Sequence, residues 1–231
     1  MAETQTPSSD ALLDAMLPHV AFDGWSAVAF AAAVDELGLS EAEAKALAPR
    51  GAIDLAVAYH RRGDQAMLER LGNADLDGMR FRDKVATALR FRVEATEDRE
   101  AVRRASALFS LPVNAGEGAR LVWETADHVW TALGDISEDA NWYTKRATLS
   151  GVWASTVLFW LGDDSPGHSE TVAFIDRRIE NVMQFEKVKA QLRENPLTKP
   201  LMELQAGLFA RVRKPGSAPR DDLPGRWRGP G

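Results

Sequence analysis

The chain has 231 residues, 45% of them hydrophobic and 27% charged, enough for one sizeable core or a small helical head on a larger helical body. It contains no cysteine, which excludes a disulfide framework, a thiolate metal site and thiol chemistry. The net charge of −6 is unevenly spread: residues 1–50 hold two bases against eight acids, whereas residues 191–231 hold eight bases against four acids, so the two ends suit different partners.

Apolar residues recur at spacings of three and four along the chain and no alternating strand pattern emerges, so an all-α fold is expected. Residues 1–9 are expected to be a disordered N-terminus. The first helix runs from Asp10 to about Ala21, with Leu13, Met16, Leu17 and Val20 inward. A second starts near Ser26 and stops before Gly38. Ser40 with Glu43 then forms a capping box for a short third helix that ends at Pro49. Further helices are expected over about 52–72, 79–95 and 98–110. Asn114 with Glu117 is a candidate cap for the next, which reaches Leu133. Two more follow over about 140–161 and 168–193, broken at Asn195-Pro196, and a last one over about 200–213. The division expected is therefore a helix-turn-helix-like head at 10–50, a helical body at 51–195, an amphipathic segment at 196–214 and a disordered tail at 215–231, whose four prolines and four glycines suit disorder.

The stretch from Ala147 to Leu161 is uncharged but short of the roughly 18–20 apolar residues a membrane span needs, and it contains Ser and Thr, so it reads as a buried helix. Residues 1–10 lack both the apolar segment of a secretory signal and the arginines of a mitochondrial presequence. A bacterial cytoplasmic protein is expected on that ground.

The head has the outline of a helix-turn-helix, in which the second helix of the motif enters the DNA major groove and lysines or arginines around it bind phosphate. Here Glu41 and Glu43 open that helix and only Lys45 opposes them, so a polyanion is repelled and no nucleic-acid partner is expected. A catalytic centre is equally hard to find. The four histidines, His19, His60, His128 and His168, stand in no metalloprotease pattern, and no P-loop, nucleophile elbow or dinucleotide fingerprint occurs. Glu117, Glu124, Asp127 and His128 share one helix, but a di-iron bundle needs Glu-x-x-His pairs from two helices; Glu124 and His128 are four apart and no second pair exists.

Trp123 and Trp130 are seven apart on one expected helix, and Trp153 and Trp160 repeat the spacing on another. Both stripes suit an ordinary core, or the wall of an apolar pocket for a lipid-like ligand, since rings beside Gly151 and Ser155 leave elongated space. Asp139, at a helix start, suits the helix dipole. Trp142 and Tyr143 are adjacent and cannot share a helix face, so with Arg146 they form either a protein-docking hot spot or a structural corner.

Leu111-Pro112, Asp127, Trp130, Gly134-Asp135, Asp139, the run Asn141-Trp142-Tyr143-Thr144 and Arg146-Ala147 together resemble the core signature of the ubiquinone (coenzyme Q) biosynthesis accessory lipid-binding protein nine family. Gly24-Trp25 and Gly38-Leu39-Ser40 fit its head, and Phe174-Ile175, Arg178 and Asn181 fit its penultimate long helix, so the resemblance covers about residues 12–213. It implies a fold similar to TetR-type regulators without DNA binding, no catalysis and no cofactor, and a pocket for isoprenoid quinone intermediates. It implies as partner the demethoxyubiquinone hydroxylase, docked on Asp139, Trp142, Tyr143 and Arg146. The pocket would draw on Trp123, Trp130, Trp153 and Trp160; a homodimer stays open.

The last apolar stripe, Leu201, Leu204 and Leu208 with Phe209, is bordered by Arg211, Arg213 and Lys214, the pattern of a helix lying in an anionic membrane interface or of a terminal helix packed on the body. The resemblance favours the membrane. Two other readings stay in view: a ligand-sensing transcriptional regulator and an enzyme acting on quinone precursors.

Overall fold

The computed structural model describes residues 8–96, 98–138 and 140–194. They form nine α-helices: α1 (Ser9–Asp23), α2 (Ala27–Glu36), α3 (Glu41–Leu47), α4 (Ala52–Asn73), α5 (Phe81–Glu94), α6 (Arg99–Ser110), α7 (Ala115–Ala132), α8 (Ala140–Trp160) and α9 (Ser169–Glu194), the last preceded by a 3-10 turn at Pro166–His168. No strand occurs among the described residues. The all-α expectation and the order of elements hold, with ends shifted by a residue or two.

Side chains set many of the boundaries. Ser8 and Ser26 accept hydrogen bonds from the backbone N–H groups of Ala11 and Ala29 and so start α1 and α2. The box at α3 forms as expected: Ser40 Oγ accepts from the Glu43 N–H at 3.3 Å, and the Glu43 carboxylate accepts from the Ser40 N–H at 2.9 Å. The Ser40 hydroxyl also donates to that carboxylate at 2.6 Å, and this bond, with the one from the Ser40 N–H, holds the Glu43 carboxyl below its ordinary value. Gly38, at φ +63°, makes the turn between α2 and α3 that a side chain would strain. The expected cap at Asn114 does not form. Its side chain donates instead to the Leu108 carbonyl at 3.2 Å, tying the loop to the end of α6.

Two buried clusters organise the packing. One joins Leu12, Leu13, Met16 and Val20 of α1 to Ala29 and Ala33 of α2, Leu55 and Ala56 of α4 and Ala101 of α6, and Trp25 fixes it by donating to the Ala101 carbonyl at 3.0 Å. The other joins Met67 and Leu71 of α4, Leu89 of α5, Val129 of α7, Trp153 and Trp160 of α8, and Ile175 and Ile179 of α9. Helix α4 starts in the first and ends in the second, so it is the shared beam of the molecule. Helix α7 lies between α4 and α8, and α5 and α8 both pack on α9. Among the described residues no helix is long and apolar enough to cross a membrane.

Candidate functional site

The space between α4, α5, α6, α7 and α8 is not filled. A cavity of about 330 Å³ opens there, walled by Trp153, Val157 and Trp160 of α8, Val93 of α5, Phe109 of α6 and Leu121 of α7. The rings of Trp153 and Trp160 are 3% and 4% exposed. They are seven apart, two turns along one face of α8, which is why both reach the same space. Small residues on the facing helices, Ala56, Gly63 and Ala66 of α4 and Ala105 of α6, keep it open.

A buried polar network closes one side of this cavity. Asp64 of α4, 1% exposed, accepts from Arg92 Nε of α5 at 2.6 Å and from Thr125 Oγ1 of α7 at 3.0 Å, and His128 Nδ1 stands 3.3 Å away. Arg92 also donates to the His60 carbonyl at 2.9 Å, and its guanidinium lies over the Trp153 ring at 5.3 Å. Burial would raise the Asp64 carboxyl, but the bond with His128 and the positive charge of Arg92 outweigh it and lower it. The same bond raises His128, while burial pushes His60 down to about 4. Asp64 is thus ionised, and His60 neutral, at ordinary pH. Sequence reading missed Asp64, Arg92 and His60 as neighbours, because 28 residues and a loop separate the ion pair.

The four tryptophans do not share one pocket. Trp153 and Trp160 wall the cavity just described. Trp130 stacks on Phe81 at 5.2 Å, donates to the Lys145 carbonyl at 3.1 Å, and lines a second apolar cavity of about 320 Å³ between α5, α8 and α9. Trp123 joins neither; its ring packs on Trp142 at 5.9 Å and Tyr143 at 6.4 Å.

The expected docking residues also divide. Tyr143 is half-buried and edge-on to Trp142 at 4.8 Å. Trp142 and Arg146 turn inward, at 8% and 2% exposed, so they are not the exposed surface that the sequence suggested. Arg146 donates to Asp127 at 2.5 Å, Asp135 at 2.9 Å and the Trp142 carbonyl at 3.2 Å, with its guanidinium 4.0 Å from the centre of the Trp142 ring. Burial would raise Asp135, but hydrogen bonds from Lys145, Arg146 and Ser137 hold it well below the carboxylate range. A helical i,i+4 spacing brings the Arg146 side chain under Trp142, and the acids of α7 and the following loop draw it inward. Asp139 and the stripe Leu201, Leu204, Leu208, Phe209, Arg211, Arg213 and Lys214 lie outside the described residues.

The acids of α7 are spent on ion pairs: Glu117 with Arg50 and Arg120, Glu124 with Arg61 and Arg120, and Asp127 with Arg146. Among the described residues no group of histidines and carboxylates is placed to hold a metal ion. On α3, Glu41, Glu43 and Lys45 are all exposed, so the face that a DNA reader would present is acidic.

A helix-turn-helix-like head on a larger helical body with an interior cavity defines a TetR-like fold. A crystal structure of a TetR transcriptional regulator from Nitrosomonas europaea matches with a TM-score of 0.62 over 74% of this chain and 95% of that one, at 20% identity, which speaks for the fold alone. Residues 115–186 match the COQ9 family model. The chain is 31% identical over 202 residues to the ubiquinone biosynthesis protein COQ9, mitochondrial, of Rattus norvegicus, covering 83% of this chain and 64% of that protein. To its namesake in Homo sapiens it is 29% identical, covering 83% and 62%, and to a probable coq9 of Dictyostelium discoideum 28%, covering 79% and 62%. The chain is thus similar in sequence to the COQ9 proteins and has a TetR-like fold, as its sequence signature implied. It spans under two thirds of the length of those relatives. The bacterial cytoplasmic location expected from the sequence does not stand: these relatives are named as mitochondrial proteins.

Proposed function

We propose that this chain is a non-catalytic, lipid-binding accessory protein of ubiquinone biosynthesis, which holds an isoprenoid quinone intermediate and presents it to a quinone-modifying enzyme. The observation that carries the reading is the 330 Å³ cavity walled by Trp153 and Trp160, in a chain similar in sequence to proteins named for ubiquinone biosynthesis. Its size is at the lower end of small-molecule sites, and its wall is largely apolar with a few convergent polar groups, which suits a prenylated ring. The reading takes the demethoxyubiquinone hydroxylase as the partner, with Tyr143 as the contact side chain and Trp142 and Arg146 as its support. It takes the sequence stripe from Leu201 to Lys214 as the membrane contact. Holding an insoluble substrate beside the enzyme turns a rare encounter into a local one.

The test is organic extraction and mass spectrometry of the protein purified gently from its native host. The expected result is a prenylated quinone precursor in near-stoichiometric amount; an empty protein overturns the reading. A ligand-sensing regulator is the second reading, since the head keeps the helix-turn-helix outline of α2 and α3. It requires a salt-dependent shift of duplex DNA, and the acidic face of α3 argues that none will occur even at low salt.

A further inference from the structure

Three polar atoms without partners collect around the Trp160 ring, which lines one end of the cavity. Trp160 Nε1, Arg99 Nε and His168 Nδ1 are each buried and make no hydrogen bond. They belong to one cluster, since the Arg99 guanidinium lies over the Trp160 ring at 5.8 Å and the His168 ring meets that indole edge-on at 5.9 Å. Buried donors without acceptors are rare in folded proteins, and a group of them around one ring asks for an explanation.

Local structure does not supply one. The carboxylates nearby are engaged elsewhere: Asp163 accepts from Ser165 and Thr171 and caps the start of α9, and Asp164, 94% exposed, meets only Arg99 Nη1 at 3.4 Å. His168 is held at φ +54°, the left-handed region, where it is the one non-glycine residue among those described. Such backbone strain persists where surrounding structure enforces it, often beside a ligand. Trp160 lines the cavity, as do Thr96 and Val102; Arg99 and His168 are not part of that lining and adjoin it through the Trp160 ring. Trp153, about 10 Å back along α8 at 1.5 Å per residue, brings a further unpartnered indole N–H to the same cavity.

We infer that the Trp160 end of the cavity is a head-group seat, in which Trp160, Arg99 and His168 hold an acceptor oxygen of an amphiphile whose tail lies along the apolar wall. The chemistry is shared by two lipid classes, a ring carbonyl of a prenylated quinone and the carboxylate of a fatty acid. A guanidinium and an indole donor in an enclosed site recognise either, and a bare hydrocarbon leaves them unpaired. The inference rests on the reading of this cavity as the lipid site.

The experiment measures binding of three probes to the full chain by equilibrium dialysis: decylubiquinone, oleate and n-decylbenzene, which has the tail without the oxygen. The unaltered chain is expected to bind at least one oxygen-bearing probe about tenfold or more tightly than decylbenzene, and the better of the two identifies the source. Trp160→Phe and Arg99→Gln, each checked for a native melting transition, should bring that preference below about threefold, and Arg99→Gln should leave decylbenzene binding within about twofold. Val157→Trp, which fills the cavity, should abolish all three. Equal binding of the three probes, or a preference that survives both Trp160→Phe and Arg99→Gln, overturns the seat while leaving the lipid cavity standing. Failure of every probe to bind overturns both.

Discussion

Gly63 sits in the middle of α4, where glycine costs a helix roughly 0.5–1 kcal/mol against alanine. Its place is explained by what lies against it. A Cβ there would come within 2.5 Å of Arg92 Cζ, and Arg92 is fixed by Asp64, Thr96 and the His60 carbonyl. We expect Gly63→Ala to destabilise the chain by about 1–3 kcal/mol despite the better helix propensity, read as a lower midpoint in urea unfolding. A rise in stability would show that Arg92 has room to move. His60 gives a pH dependence. Its folded value, about 4, is below the ordinary imidazole value, so between about 6.5 and 4 the unfolded chain binds the extra proton. Stability is therefore lost as pH falls through that window, by at most roughly 1.4 kcal/mol per pH unit from this group. Substituting Gln should flatten the slope measured between pH 6.5 and 4; an unchanged slope assigns the loss to other groups.

At the scale of elements, α8 serves three surroundings at once. Its first turns hold Trp142 and Arg146 against α7, its middle faces the second cavity through Leu149 and Val152, and its end faces the first through Trp153 and Trp160. This division separates two substitutions that look alike in sequence. Trp142→Ala removes a buried ring under which Arg146 lies, and should cost about 3–5 kcal/mol. Tyr143→Ala removes a half-buried ring and should cost about 1 kcal/mol or less, leaving the native circular dichroism spectrum. Tyr143→Ala is therefore the informative variant for docking. Quinone production that falls in a cell carrying it, with the fold intact, supports the contact; undiminished production moves the contact elsewhere.

For the whole molecule, charge segregates along the chain. The acidic head repels polyanions, while the basic segment beyond Asn195 suits an anionic bilayer. Truncation after Asn195 should leave the thermal transition of the helical body in place and lower cosedimentation with vesicles containing anionic phospholipid by about tenfold. Equal sedimentation of the truncated and full chains removes that segment from membrane contact.

Much of this was legible in the residues themselves. Period-three-and-four apolar spacing fixes helices, and Ser26 and the Ser40–Glu43 pair set starts that depend only on neighbours three residues on. The run Asn141-Trp142-Tyr143-Thr144, together with Leu111-Pro112, Trp130, Gly134-Asp135 and Arg146-Ala147, pointed to the COQ9 relatives. The sites were another matter. Whether Trp123 or Trp153 faces a cavity depends on which helix lies opposite, and periodicity says only that they share a stripe. The inward turn of Arg146 depends on acids 11 and 19 residues away, and the Asp64–Arg92 pair joins two helices across 28 residues. Local patterns determine elements because their causes lie within a turn or two of chain. The cavity and its lining were decided only by tertiary packing, because unfilled space belongs to no single residue.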